Sequence, residues 1–150
     1  MASAHHSRPH PKTVGDASAA MVLARLVQAG KEVLVPFGEN NRYDLVIEEP
    51  DGSFIRVQCK TGRLQRGAIT FNTCSVTYHH PGNRGLQVYR HDYRGDADLF
   101  GIYCPDNDKA YLVPVDAVGK RSGALRVDRP RNNQAKRIRW AKDYELAMPG

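Results

Sequence analysis

The sequence predicts a single α/β domain in which one helix packs on a mixed, mainly antiparallel sheet. Three observations point to it: a helical stretch at 13–29 closed by Gly30, a hairpin pattern from Arg42 to Lys60, and paired apolar runs at 98–104 and 110–115. A chain of 150 residues can bury one core but not two.

Composition narrows the function. With 41% hydrophobic and 25% charged residues the chain is of ordinary globular type. No apolar run approaches the roughly 18–20 residues of a membrane span, so no membrane partner is expected. Met1 to Pro11 has no apolar core of a secretory signal. Cys59, Cys74 and Cys104 are odd in number and widely spaced. That argues against a disulfide framework or a zinc knuckle and for reduced thiols in the cytoplasm. A net charge of +6 favours a polyanionic partner, nucleic acid first.

The elements follow in order. Residues 1–12 mix His, Pro, Ser and Ala without period and read as a disordered tail, which leaves 13–150 as the domain. In such a tail His5, His6 and His10 have no surroundings to fix them as metal ligands. In the helix, Ala17, Ala20, Met21, Ala24 and Val27 mark the expected buried face. Asp16 reads equally as a first-turn acid or as an acid near the site. Glu32 to Pro36 is a short strand, and the loop after it, with Glu39 as a solvated acid, leads to Asp44. Beyond Lys60, residues 61–67 read as a loop whose Arg63 and Arg66 are the leading DNA-backbone contacts. Residues 68–75 form the next strand. From Val76 to Gly95 the text reads as a long irregular insert that interleaves Tyr78, Tyr89, Tyr93 and three His with Arg84, Arg90 and Arg94. Such a mixture suits phosphate contacts and base stacking. Residues 120–142 hold nine Lys or Arg, Arg137 and Arg139 among them, against one acid, Asp128. That segment reads as a nucleic-acid contact strip. Trp140, Tyr144 and Leu146 are expected to fold the end back onto the core.

The hairpin holds the chemistry. Arg42-Tyr43-Asp44-Leu45-Val46-Ile47 and Phe54-Ile55-Arg56-Val57-Gln58-Cys59-Lys60 flank a corner containing Pro50 and Asp51-Gly52. Residues two apart on a strand share a face, so Gln58 points the same way as Lys60, and Arg42 the same way as Asp44, where it is expected to contact a DNA phosphate. Pairing about the corner brings Asp44 beside Gln58. A carboxylate, an amide oxygen and an amine then meet at one end of the hairpin. Hard oxygens of this kind suit Mg²⁺, and a lysine beside the ion can orient or deprotonate a water or stabilise charge on a phosphate. The same spacing also fits a plain surface ion pair between Asp44 and Lys60.

Asp44 followed by Gln58-Cys59-Lys60 resembles the signature of the PD-(D/E)XK nucleases. The wider text, Tyr43-Asp44-Leu45-Val46 with Ile55-Arg56-Val57-Gln58-Cys59-Lys60-Thr61-Gly62, is similar to the group I intron-associated branch, where glutamine replaces the second acid. The likeness continues through Tyr93-Arg94-Gly95-Asp96-Ala97-Asp98-Leu99-Phe100 and Tyr111-Leu112-Val113-Pro114-Val115 and covers most of 13–145. The resemblance implies a restriction-endonuclease-like core flanked by helices, of the Holliday junction resolvase type. It also implies Mg²⁺-dependent hydrolysis of DNA phosphodiesters, by a homing endonuclease or a Holliday junction resolvase. Asp44, Gln58 and the Cys59 backbone carbonyl would hold Mg²⁺, or Mn²⁺ in its place, with Lys60 as electrophile or base. Cutting two strands implies a homodimer or homotetramer. One position departs from the pattern. The family's helix supplies a glutamate four residues after a glycine, and counting from Gly15 that place is Ala19, with Asp16 and Ser18 the nearest polar residues. A DNA-binding module without catalysis is therefore the alternative. Asp98 also matches a family position and is read as a structural hydrogen-bond acceptor.

Overall fold

Residues 8–132 and 137–147 are described by the computed structural model. Helix α1 (Pro11–Gln28) starts two residues before the expected residue 13, which puts Asp16 beyond its first turn and not within it. Proline suits a first helical position, having no amide to leave unpaired and a preset φ. The ring of His10 accepts the Lys12 amide at 3.2 Å, so this histidine caps the helix. His5 and His6 lie outside the described residues.

The buried face of α1 differs from the expected one. Ser18, Val22, Arg25 and Leu26 face inward, while Ala17, Ala20, Ala24 and Val27 are exposed and Met21 is half-buried. The helix is apolar over much of its circumference, so periodicity alone does not select a side. Two polar residues on the inward face are instead satisfied by partners. Ser18 Oγ meets Thr61 Oγ1 at 2.6 Å, and Arg25 Nη2 donates to the Asp108 carboxylate at 3.0 Å and its carbonyl at 3.2 Å.

The first strands are β1 (Glu32–Leu34), β2 (Leu45–Glu48), β3 (Phe54–Thr61), β4 (Arg63–Gln65) and β5 (Ala68–Asn72). Then come β6 (Cys74–His79), β7 (Gln87–Asp92), β8 (Leu99–Cys104), β9 (Lys109–Pro114) and β10 (Ser122–Arg126). The main sheet has the order β1-β2-β3-β8-β9, with β3–β8 its parallel pair. A smaller sheet, β10-β5-β4, and the two-stranded arm β6–β7 complete the described residues. Mixed α/β architecture with mainly antiparallel pairing is what the sequence predicts.

The main sheet separates two apolar layers. On the helix side Val22 and Leu26 meet Leu45, Ile47, Val57 and Cys59. On the other, Phe71 and Leu125 of the small sheet meet Phe100, Ile102 and Val113. Gly101 lets the helix lie this close. A Cβ there would stand 2.7 Å from Val22 Cγ1 and 3.0 Å from Val57 Cγ1.

Two expected loops contain strands, and so does the basic stretch. Arg63 lies on β4, not in a loop, and Arg66 is in the tight β4–β5 turn. The supposed irregular insert is the β6–β7 hairpin, registered from Cys74 opposite Asp92 to His79 opposite Gln87. Most of its side chains meet solvent on both faces, so it lacks the alternation that announces a strand. Likewise β10 lies within the basic stretch, where Ser122 to Arg126 pairs with β5. The chain end folds back as expected. Leu146 donates its amide to Ala110 at 2.8 Å, and Leu112 donates to Tyr144 at 2.9 Å.

Candidate active site

The register of β2 on β3 sets the site. Leu45 pairs with Val57, and both are buried against α1. Their neighbours Asp44 and Gln58 therefore turn to the opposite face, and Lys60 joins them two residues on. Gln58 and Lys60 stand beside Phe100 and Ile102 in the parallel pairing with β8, on the side of the second core.

Asp44 lies immediately before β2. Its Oδ2 accepts the Cys59 amide at 2.9 Å, and its own amide donates to the Val57 carbonyl at 2.9 Å. The carboxylate takes the acceptor place a further strand residue would have filled. In extended chain the N–H and C=O of one residue leave on the same side, so the Cys59 carbonyl shares this edge with Asp44. Burial pushes the Asp44 carboxyl above the ordinary aspartate range, the Cys59 amide and the Lys60 ammonium pull it back, and Asp16 on α1 adds to the rise. The thiol of Cys59 faces the helix-side core. Burial first and the Asp44 charge second drive its pKa far upward, so only its backbone is open to chemistry.

Lys60 is fixed from the side of the arm. Its Nζ donates to Tyr93 Oη at 3.2 Å and to the Cys74 carbonyl at 3.4 Å, and lies 4.7 Å from the centre of the Tyr93 ring. The Arg42 guanidinium lies over the same ring at 4.2 Å. Tyr93 is itself held edge-on to Phe100, with ring centres 5.7 Å apart.

An acid at the open end of one strand, a Gln-x-Lys on the next and a helix behind them agree with the comparisons. The PD-(D/E)XK endonuclease family profile matches residues 9–147. The chain belongs to that family. No curated protein matches it. Among solved structures the bacterial homing endonuclease I-Ssp6803I is similar, at 21% identity and TM-score 0.67, over 91% of this chain and 89% of that one. At that identity the likeness is one of fold.

The donor set of this PD-(D/E)XK chain fits a hard, oxygen-liganded divalent cation that keeps several waters. It offers the Asp44 carboxylate, the Gln58 amide, whose side chain has no hydrogen bond among the described residues, and the Cys59 carbonyl. Ala19 packs against the Val22 and Leu26 cluster, and the Ser18 hydroxyl is tied to Thr61, so neither adds a carboxylate. Among the described residues no group of three or more His, Cys, Asp or Glu could hold a metal. The acid within electrostatic reach of Asp44 is Asp16; Glu39 is exposed in its loop.

The arginines divide into two kinds. Arg42 Nε donates to Asp96 at 3.0 Å, and its two other nitrogens reach Ser75 Oγ and the Asp92 carbonyl, each at 2.7 Å. That guanidinium braces the root of the arm against the site. Arg94 is partly engaged, with Nη2 on the Val118 carbonyl at 3.2 Å and Nε 3.8 Å from Asp116. By contrast Arg63, Arg66, Arg84, Arg90, Arg137 and Arg139 are exposed, and their side chains have no ion-pair partner among the described residues. Arg84 and Arg90 lie on the arm, while Arg137 and Arg139 line a cleft against Ser122 and Gly123. Asp98 accepts the Arg56 amide at 2.8 Å and two of its guanidinium nitrogens at 3.2 Å each, the structural part expected of it.

Tyr93, Ser75 and Asp96 are the site residues that sequence reasoning missed. Tyr93 stood in view among the rings of 76–95, but its partnership with Lys60 depends on the arm returning to β3. No local pattern encodes that.

Proposed function

We propose that this protein is a divalent-metal-dependent DNA endonuclease that hydrolyses phosphodiester bonds at the Asp44, Gln58 and Lys60 site. The observation that carries the reading is the convergence of Asp44 and Lys60 on one face at the open end of β2 and β3, close enough for the ammonium to lower the carboxyl pKa. Asp44, Gln58 and the Cys59 carbonyl would hold Mg²⁺ or Mn²⁺, which supplies Lewis acidity toward the phosphate and a more acidic water. Lys60 has three N–H donors and uses two on Tyr93 and Cys74. The third is left for a phosphoryl oxygen, where it offsets the negative charge that grows as water attacks phosphorus and the leaving oxygen departs. The unpaired arginines, Arg63, Arg66, Arg84, Arg90, Arg137 and Arg139, grip backbone phosphates, while Arg42 and Arg94 shape the surface between them. A homodimer or homotetramer places two such sites for two strands.

A second reading is a DNA-binding module that no longer cuts, favoured by Ala19 in the place of a helix acid. One experiment separates the two. Supercoiled plasmid, linear duplex carrying candidate target sites and a four-way junction are incubated with Mg²⁺ or Mn²⁺, beside Lys60→Ala and Asp44→Ala. Cutting by the parent and not by the variants supports catalysis, and the preferred substrate separates homing endonuclease from junction resolvase. Binding without cutting in either metal supports the module.

A further inference from the structure

We propose that the β4–β5 turn and the segment after β10 form a dedicated phosphate clamp for the DNA backbone, separate from the catalytic pocket. It rests on the nuclease reading above and names a second contact site of that enzyme. A cleft of about 740 Å³ opens there, lined by Arg66, Gly67, Arg126, Asp128, Arg129 and Arg131 among others.

The corner is built, not incidental. The Val127 and Asp128 amides both donate to the Gly67 carbonyl, at 2.9 and 3.1 Å. Arg126 donates from Nε to the Asp128 carbonyl at 3.1 Å and from Nη1 to the Arg66 carbonyl at 3.4 Å. A Cβ on Gly67 would stand 3.0 Å from Asp128 Cβ. One arginine is therefore spent on holding the turn in place.

Arg66 has an unusual backbone for its residue type. Its φ is +50° and that of Gly67 +76°, so both are left-handed, in a two-residue hairpin turn that favours Asn-Gly, Asp-Gly or Gly-Gly. Arginine is costly at the first of these positions, and its guanidinium has no hydrogen-bond or ion-pair partner among the described residues that would offset the cost. A strained residue without local compensation is a pointer to function. Arg129 and Arg131 line the same cleft, also unpaired among the described residues, against one carboxylate, Asp128. Planar guanidinium forks match the oxygens of a phosphodiester.

Position argues for DNA in particular. Strand β5 (Ala68–Asn72) leaves this corner, and two residues beyond its end β6 opens at Cys74, whose carbonyl receives Lys60. At ~3.3 Å per residue the stretch from Ala68 to Cys74 spans at most roughly 20 Å, within about six nucleotide steps of a B-form strand. A phosphate seated in the clamp would thus hold a duplex in register with the catalytic end of β3.

The test is Arg66→Asn, which puts a turn-favouring residue in the left-handed position and removes the fork. Binding of a fluorescein-labelled duplex is followed by anisotropy in EDTA, so that nothing is cut, across a salt series. The variant is expected to melt no lower than the parent, yet to bind about tenfold more weakly, with the slope of log K against log salt shallower by about 0.9. The loss should be equal on unrelated duplex sequences. Arg129→Ala with Arg131→Ala should lose further affinity and slope. Parent-like affinity and slope in both variants would overturn the clamp while leaving the nuclease reading intact. A parent that binds neither duplex nor a labelled four-way junction overturns the nuclease reading and the clamp with it.

Discussion

The Nζ of Lys60 lies 3.2 Å from the hydroxyl of Tyr93, a residue 33 positions further along the chain. The contact joins the central strand of the main sheet to the foot of the arm, and together with the Cys74 carbonyl it engages two of the three ammonium N–H donors. Tyr93→Phe keeps the ring, and with it the packing on Phe100 and the cation contact, but deletes the acceptor. Turnover of DNA is expected to fall tenfold or more, on the order of 1.5 kcal/mol for one lost hydrogen bond to a charged group, while KM stays near the parent's. Unchanged turnover would show that the phenol does not position the lysine.

Asp44 has a stability signature as well as a functional one. Burial raises its pKa in the folded protein. In the window between the ordinary aspartate pKa and the raised one the folded state binds more protons than the unfolded, so stability falls as pH rises through it. The deficit remains in full at neutral pH. Asp44→Asn keeps an acceptor for the Cys59 amide without the charge. In metal-free buffer the variant should melt above the parent at neutral pH, with the gap closing once the solution is acid enough to protonate a free aspartate. Cleavage by it should be lost. A variant that melts lower at neutral pH would contradict the burial argument.

The hairpin and its polar residues are legible in the sequence because their information is local. Alternation places Gln58 with Lys60, and a turn at Asp51-Gly52 fixes the register that brings Asp44 to them. The arm is not legible, since Val76, Tyr78, Val88 and Tyr89 are all exposed and neither face shows an apolar period. The inward face of α1 is hidden for the opposite reason. Alanines surround the helix, and Ser18 and Arg25 are buried only because Thr61 and Asp108 wait for them. Which arginines are held within the protein is also a long-range matter, decided by where Asp96 and Asp116 fall.

Gly101 tests how closely α1 must approach the sheet. Gly101→Ala would press a methyl against Val22 and Val57, both β-branched with little rotamer freedom. Destabilisation of about 1–3 kcal/mol is expected, the usual range for overpacking, read as a lower denaturation midpoint with unchanged m-value. Combining it with Val22→Ala should recover part of the loss, because the added methyl then has room. Full additivity of the two losses would mean that the helix does not pack on this glycine.

Cys59 separates backbone from side-chain chemistry at the site. Its thiol is turned into the core, 8% exposed, and its pKa is raised by burial and by the neighbouring carboxylate, while its amide and carbonyl face Asp44. Cys59→Ala should therefore cost stability, about 1 kcal/mol for a small buried group, and retain metal-dependent cleavage at close to the parent rate. Native protein should resist iodoacetamide at Cys59, Cys74 and Cys104 alike, since all three are buried, and take up three labels once denatured. Rapid native labelling at Cys59, or loss of cleavage in a folded Cys59→Ala protein, would assign the sulfur a role that the strand geometry denies it.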